Sequence, residues 1–95
     1  MSTFVHDPDA VLPYTLDFAA WLAGFGDPAP TITSHEVIAE DGITVVSSSH
    51  TGTTITAVLS GGTAGKIYRI TFRAVLSAGP PYQDDRSIQL LVRER

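Results

Sequence analysis

The chain has no cysteine, a single tryptophan and a single methionine among its 95 residues. Without cysteine there is no disulfide framework and no thiolate zinc site, so the fold must rest on packing and backbone pairing. No apolar run approaches the ~20 residues that a membrane-spanning helix needs. The opening Met1-Ser2-Thr3-Phe4-Val5-His6-Asp7 lacks the basic start and apolar stretch of a secretory signal. Synthesis in the cytoplasm is the expectation, with no membrane partner. A base is also missing from the whole first part of the chain: residues 1–41 carry seven acids (Asp7, Asp9, Asp17, Asp27, Glu36, Glu40, Asp41) and neither lysine nor arginine.

What is present is a globular composition, 43% hydrophobic and 17% charged, too apolar for a disordered chain. Its length suits one domain with a modest core. The net charge of −4 argues against nucleic acid, which selects basic surfaces. All six bases (Lys66, Arg69, Arg73, Arg86, Arg93, Arg95) lie in residues 42–95, beside three acids (Asp84, Asp85, Glu94). The two parts are therefore −7 and +3. One reading is complementarity within the fold, first strands beside last. The other is a polar protomer whose acidic face meets a neighbour's basic face, which would steer and register a ring.

Eleven Thr, eight Val and seven Ile give the chain the β-branched character of strands. Gly and Pro punctuate it about every ten residues, the spacing of a β-sandwich. Leu12, Tyr14, Leu16 and Phe18 alternate with Pro13, Thr15 and Asp17, so a strand is expected there, with Pro13 at its start or on a sheet edge. Ala19 to Leu22 suits one helical turn, with Asp17 placed to cap it. Strands are predicted over 31–39, 43–48 and 53–60, with turns at 40–42, 49–52 and 61–65. The clearest strand alternates Tyr68, Ile70, Phe72, Ala74 and Leu76 against Arg69, Thr71 and Arg73. A loop over 78–85 precedes the last strand, 86–93, with Ile88, Leu90 and Val92 inward. The sum is six or seven strands over residues 11–95, in two packed sheets, behind an extended arm of residues 1–10 that docking would order.

Chemistry is sparse. Ser60 to Ile67 superficially resembles a phosphate-binding loop, but Ser60 stands where its first Gly belongs and Ile67 where its Ser or Thr belongs. The flanks are strands, so a hairpin turn is expected. His6, His35 and His50 lie far apart in sequence and suggest surface imidazoles, not a metal site. Asp7-Pro8-Asp9 and Asp84-Asp85 supply too few oxygens for calcium. Ser47-Ser48-Ser49-His50 sets hydroxyls beside an imidazole without the carboxylate and oxyanion hole of a triad. No enzyme activity and no cofactor are expected. Trp21 reads as a core plug at one end, or as an aromatic anchor in an interface. Phe25 and Tyr82 are the other loop aromatics. Arg86 suits a strand-end ion pair with Asp17 or Asp85. Arg93-Glu94-Arg95 is either a solvated strand end or a docking tip.

Four blocks together resemble a known family. They are Asp7 to Tyr14; Asp17 through Trp21-Leu22; Leu59 to Gly65 with Tyr68; and Asp84-Asp85-Arg86-Ser87-Ile88 ending in Val92 to Arg95. In order and spacing they are similar to the small fiber–tail adaptor proteins of tailed bacteriophages. The departures are His6 where a basic residue is usual, Pro13 where a polar one is usual, and Pro80-Pro81-Tyr82-Gln83 as a small insertion. The resemblance implies an immunoglobulin-like β-sandwich in the virion, at the tail or neck, joining fibers or spikes to tail or portal components in a symmetric ring. Its candidate packing and interface residues are Asp7, Asp9, Trp21, Tyr68, Tyr82, Arg86, Arg93 and Arg95. A head–tail connector, a capsid decoration protein and a module binding host-surface carbohydrate are the competing expectations.

Overall fold

The computed structural model describes residues 2–94. It has seven strands and one helical turn: β1 (Ser2–His6), β2 (Val11–Asp17), α1 (Ala19–Ala23), β3 (Ile32–Ala39), β4 (Ile43–His50), β5 (Thr54–Gly61), β6 (Ile67–Leu76) and β7 (Gln83–Val92). They form two sheets, one ordered β1-β7-β6-β3 and the other β2-β5-β4. The chain is an all-β sandwich. Lettered A to G in chain order, the sheets are A-G-F-C and B-E-D. The immunoglobulin constant arrangement, ABED facing CFG, differs only in the place of the first strand.

Period-two alternation builds the core. Tyr68, Ile70, Phe72, Ala74 and Leu76 of β6 are all buried, as are Ile88, Leu90 and Val92 of β7. Ile55, Ala57 and Leu59 of β5 face them from the other sheet. Phe18 and Leu22 close one end of this core. Pro13 lies in β2, an edge strand, where a missing N–H costs no ladder bond.

Three expectations are corrected. Ser2–His6, expected as part of an arm, is a strand paired in parallel with β7, from Ser2 opposite Ile88 to His6 opposite Val92. The Thr3-Phe4-Val5 run suits a pleated strand, and its partner lies at the far end of the chain. His6 is fully buried and not a surface imidazole. The glycine-rich connection 62–66 is no hairpin, because β5 and β6 belong to different sheets. It crosses between the layers, held where the Thr63 N–H donates to the Tyr68 hydroxyl (2.9 Å) and the Gly65 N–H to the Val92 carbonyl (2.7 Å).

The strands interleave the acidic and basic parts of the sequence. β1 and β3 come from the acidic part and share one sheet with β6 and β7. Arg73 on β6 bridges Glu36 on β3 (3.0 Å) and Asp85 on β7 (2.9 Å). Here the complementarity is internal.

Candidate functional site

The body is 45 × 20 × 17 Å in extent, and ten-residue strands of about 33 Å fit only along its long axis, so their connections gather at its two ends. One end carries 7–10, 40–42, 62–66 and the segment after β7. The other carries 18–31, 51–53 and 77–82. The chemistry of the two sets differs.

The first end is charged. It holds Asp7, Asp9, Glu40, Asp41, Lys66, Arg93 and Glu94. Asp7 Oδ1 accepts the Asp9 N–H at 2.8 Å, an Asx turn that fixes the entry to β2. Glu40 Oε1 accepts the Arg69 N–H at 2.6 Å. The Arg93 N–H donates to the His6 carbonyl (3.0 Å), which carries the β1–β7 ladder to its end. Tyr68 lies below this surface, buried. Hydrogen bonding by Thr63, its side chain first and its backbone N–H second, lowers the phenol pKa.

The second end is aromatic. Its three connections contain one charged residue, Asp27, and four prolines. Asp17 Oδ1 accepts the Ala19 N–H at 2.8 Å and starts the helical turn. That turn aims Leu22 into the core and leaves Trp21 half-buried across the end. The plug expected at Trp21 is therefore Leu22 with Phe18. The Trp21 ring meets Phe18 edge-on at 6.0 Å and Phe25 edge-on at 5.3 Å. Phe25 in turn stacks on Tyr82 at 5.9 Å, with 22° between the rings. Phe25 and Tyr82 are 45% and 48% exposed, so this is a ladder of rings open to solvent. Gly79 makes room for it: its φ is +80°, and a Cβ there would lie 2.6 Å from the Tyr82 ring.

Arg86 stands beside the ladder. Its guanidinium lies over the buried Phe18 ring, 4.8 Å from the centroid, and Nη1 donates to the Asp17 carbonyl at 3.3 Å. The ion pair expected for Arg86 is replaced by these contacts. The Asp17 carboxylate serves the helical turn, and Arg73 takes the Asp85 carboxylate through Nε and Nη2.

The expected interface residues thus fall into two groups. Asp7, Asp9 and Arg93 lie at the charged end, with Tyr68 beneath them. Trp21, Tyr82 and Arg86 lie at the aromatic end. Arg95 falls outside the described residues. Sequence reading named Phe25 only as a loop aromatic and missed its stacking on Tyr82, because the two residues meet only once both sheets are assembled. It also missed that His35 and His50 touch. Ser48, weighed beside His50, bonds His35 instead, its Oγ 2.9 Å from Nε2.

Among the described residues, no helix is long and apolar enough to cross a membrane, and no group of three or more His, Asp or Glu gathers as metal ligands. No curated protein matches the chain. The family model described as podophage GP4 fiber-tail adaptor protein gp77 matches residues 6–91, nearly the whole sandwich with both of its ends, and the chain belongs to that family of structural phage tail adaptors.

Proposed function

We propose that this chain is a non-enzymatic adaptor in the virion, gripping a fiber with one end of the sandwich and the tail machinery with the other. The observation that carries the reading is the chemical difference between the ends. The aromatic end offers rings and prolines, with Asp27 the one charge in its connections and Arg86 beside the ladder. Such a surface suits a desolvated contact anchored by a few aromatic residues. The charged end suits a contact whose strength comes from complementary charge. A joint between two different proteins needs two unlike surfaces held apart by a stiff body, and a packed sandwich supplies that body. The free edges of β1, β2, β3 and β4 leave room for lateral contact between copies in a ring.

The test is co-purification with the fiber and tail proteins of the same phage. Phe25→Ala with Tyr82→Ala should release one partner and keep the other. Lys66→Glu with Arg93→Glu should do the reverse. The charged contact should also weaken as salt rises, because exposed ion pairs are screened. Retention of both partners by both variants would overturn the assignment of the ends.

The Trp21, Phe25 and Tyr82 ladder also favours a second reading, in which this end stacks on sugar rings of a host surface. Saturable glycan-array binding by the isolated chain, lost in Phe25→Ala, would support it. An array without such binding would leave the ladder to protein partners.

A further inference from the structure

His35 and His50 sit on different sheets. His35 is on β3 and His50 on β4, the two free edges on one side of the sandwich. His35 occupies an inner-face position of its strand, in the same alternation as Val37 and Ala39. The rings meet edge to face, with centroids 4.7 Å apart. Their Nδ1 atoms lie 2.5 Å apart. On the far side of the His35 ring, Nε2 lies 2.9 Å from Ser48 Oγ.

The bonding constrains what lies between the rings. A proton on His35 Nε2, donated to Ser48, leaves His35 Nδ1 as a bare lone pair. Two bare lone pairs cannot face each other at this separation. Either a proton lies between them or a cation does. β4 and β5 bring no other charged side chain to the pair. Glu36, the next residue on β3, is turned to Arg73 on the outer face.

We propose that His35 and His50 form a two-imidazole site for a tetragonal divalent transition metal, Cu(II) or Ni(II), at the seam between the sheets. With metal–nitrogen bonds of about 2.0 Å, adjacent ligands of a tetragonal ion stand about 2.8 Å apart, and those of a tetrahedral ion about 3.3 Å. The two Nδ1 atoms need part by only a few tenths of an ångström for the first geometry and by more than twice as much for the second. Both side chains lie on edge strands and are half-exposed, so that movement disturbs little. Ser48 plays the part of the group that fixes the tautomer and aim of a ligating imidazole. The remaining positions on the ion face solvent and accept water or a donor from a neighbouring protein. A bound ion would tie β3 to β4 and close that side of the sandwich.

The test uses the whole chain, stripped with chelator and titrated with CuCl2, NiCl2 or ZnCl2 near pH 7. At about 100 times the dissociation constant, the folded-to-unfolded ratio should rise about a hundredfold, seen as a Tm rise of roughly 10–20 °C. Copper should act at lower concentration than nickel, and nickel at lower concentration than zinc; in His50→Gln the rise should vanish. Ser48→Ala should weaken binding by about tenfold. As a check independent of any variant, paramagnetic Cu(II) should first broaden the NMR signals of His35 and His50 in the unaltered chain. Broadening centred on His6 or on the acidic turns would overturn the proposal. So would unchanged melting at 1 mM metal, which would leave a proton-sharing pair and nothing more.

Discussion

His6 Nδ1 and Tyr14 Oη lie 2.7 Å apart and join β1 to β2, the free edges of the two sheets on one side of the sandwich. The opposite side is joined by His35 and His50. Each open seam therefore holds an imidazole. His6 is fully buried, and its Nε2 has no hydrogen-bond partner among the described residues. Burial pushes its pKa below the ordinary value, against the opposing pull of Asp7 and of the Ala10 backbone.

That shift sets the sign of a pH dependence. The unfolded chain takes up a proton on His6 near pH ~6.5, and the folded chain does so only at lower pH. Between the two values the unfolded state binds more protons, so stability rises with pH. It should be full above about pH 6.5 and fall as the solution is acidified through the folded value. His35, lowered by burial and by His50, adds a shift of the same sign. Urea midpoints at pH 7 and pH 5 should differ in that direction. His6→Phe should narrow the gap, and an unchanged gap would show that His6 does not titrate as its burial requires.

Arg73 holds Glu36 and Asp85 at once, yet all three side chains are substantially open to solvent, at 33%, 59% and 43% exposed. Exposed ion pairs contribute little to stability and less in salt. The pull of Asp85 and Glu36 raises the Arg73 pKa, so the guanidinium stays charged throughout the working range. Arg73→Met should lower the denaturation midpoint slightly in dilute buffer. The difference from the parent should shrink towards zero in 1 M NaCl. A loss that persisted in salt would assign the role of Arg73 to packing of its stem across the sheet.

Leu22 and Trp21 are neighbours on one helical turn with different burdens. Leu22 is 1% exposed and packs in the core, whereas Trp21 lies half-buried against Phe18 and Phe25. Leu22→Ala should cost about 2–5 kcal/mol, the range for a buried aliphatic cavity. Trp21→Ala should cost less than the roughly 3–5 kcal/mol of a fully buried aromatic, despite removing more atoms. Thermal melts of the two variants rank them. The reverse order would return Trp21 to the core.

The sequence is most legible where one face is buried. The β6 alternation from Tyr68 to Leu76 and the Ile88, Leu90, Val92 series of β7 declare their own inward sides, because a one-residue slip would expose them all. β1 is harder to read. It is five residues long, precedes Pro8, and gains its meaning only from a partner more than eighty residues away. The histidine pairs share that difficulty. His35 and His50 are fifteen residues apart on edges of different sheets, so their meeting depends on the register of both layers at once. Phe25 comes from the connection that crosses from one sheet to the other, and Tyr82 from the one that joins β6 to β7 within a sheet. Their types were visible as loop aromatics, but their convergence follows from topology alone. Charge carried part of the topology: β1 and β3, from the acidic part of the chain, flank β7 and β6, from the basic part, within one sheet.

Gly62 has no room for a side chain. Its φ is +96°, and a Cβ would lie 2.7 Å from Val92 Cγ2, 3.0 Å from Ile43 Cδ1 and 3.3 Å from the Tyr68 ring. Val92 and Tyr68 belong to one sheet and Ile43 to the other, so this glycine sits where the layers meet beneath the charged end. Gly62→Ala would add backbone strain of about 1–2 kcal/mol for the left-handed conformation. It would also add overpacking of about 1–3 kcal/mol, because three buried side chains must give way. The combined cost should appear as a Tm loss of roughly 10–20 °C in a chain of this size. The aromatic end lies at the far pole of the sandwich and should keep its ring contacts at temperatures where the variant stays folded. A partner bound there should therefore still be held by Gly62→Ala, and one bound at the charged end should be weakened. Equal weakening at both ends would mean that the sandwich does not insulate one surface from the other.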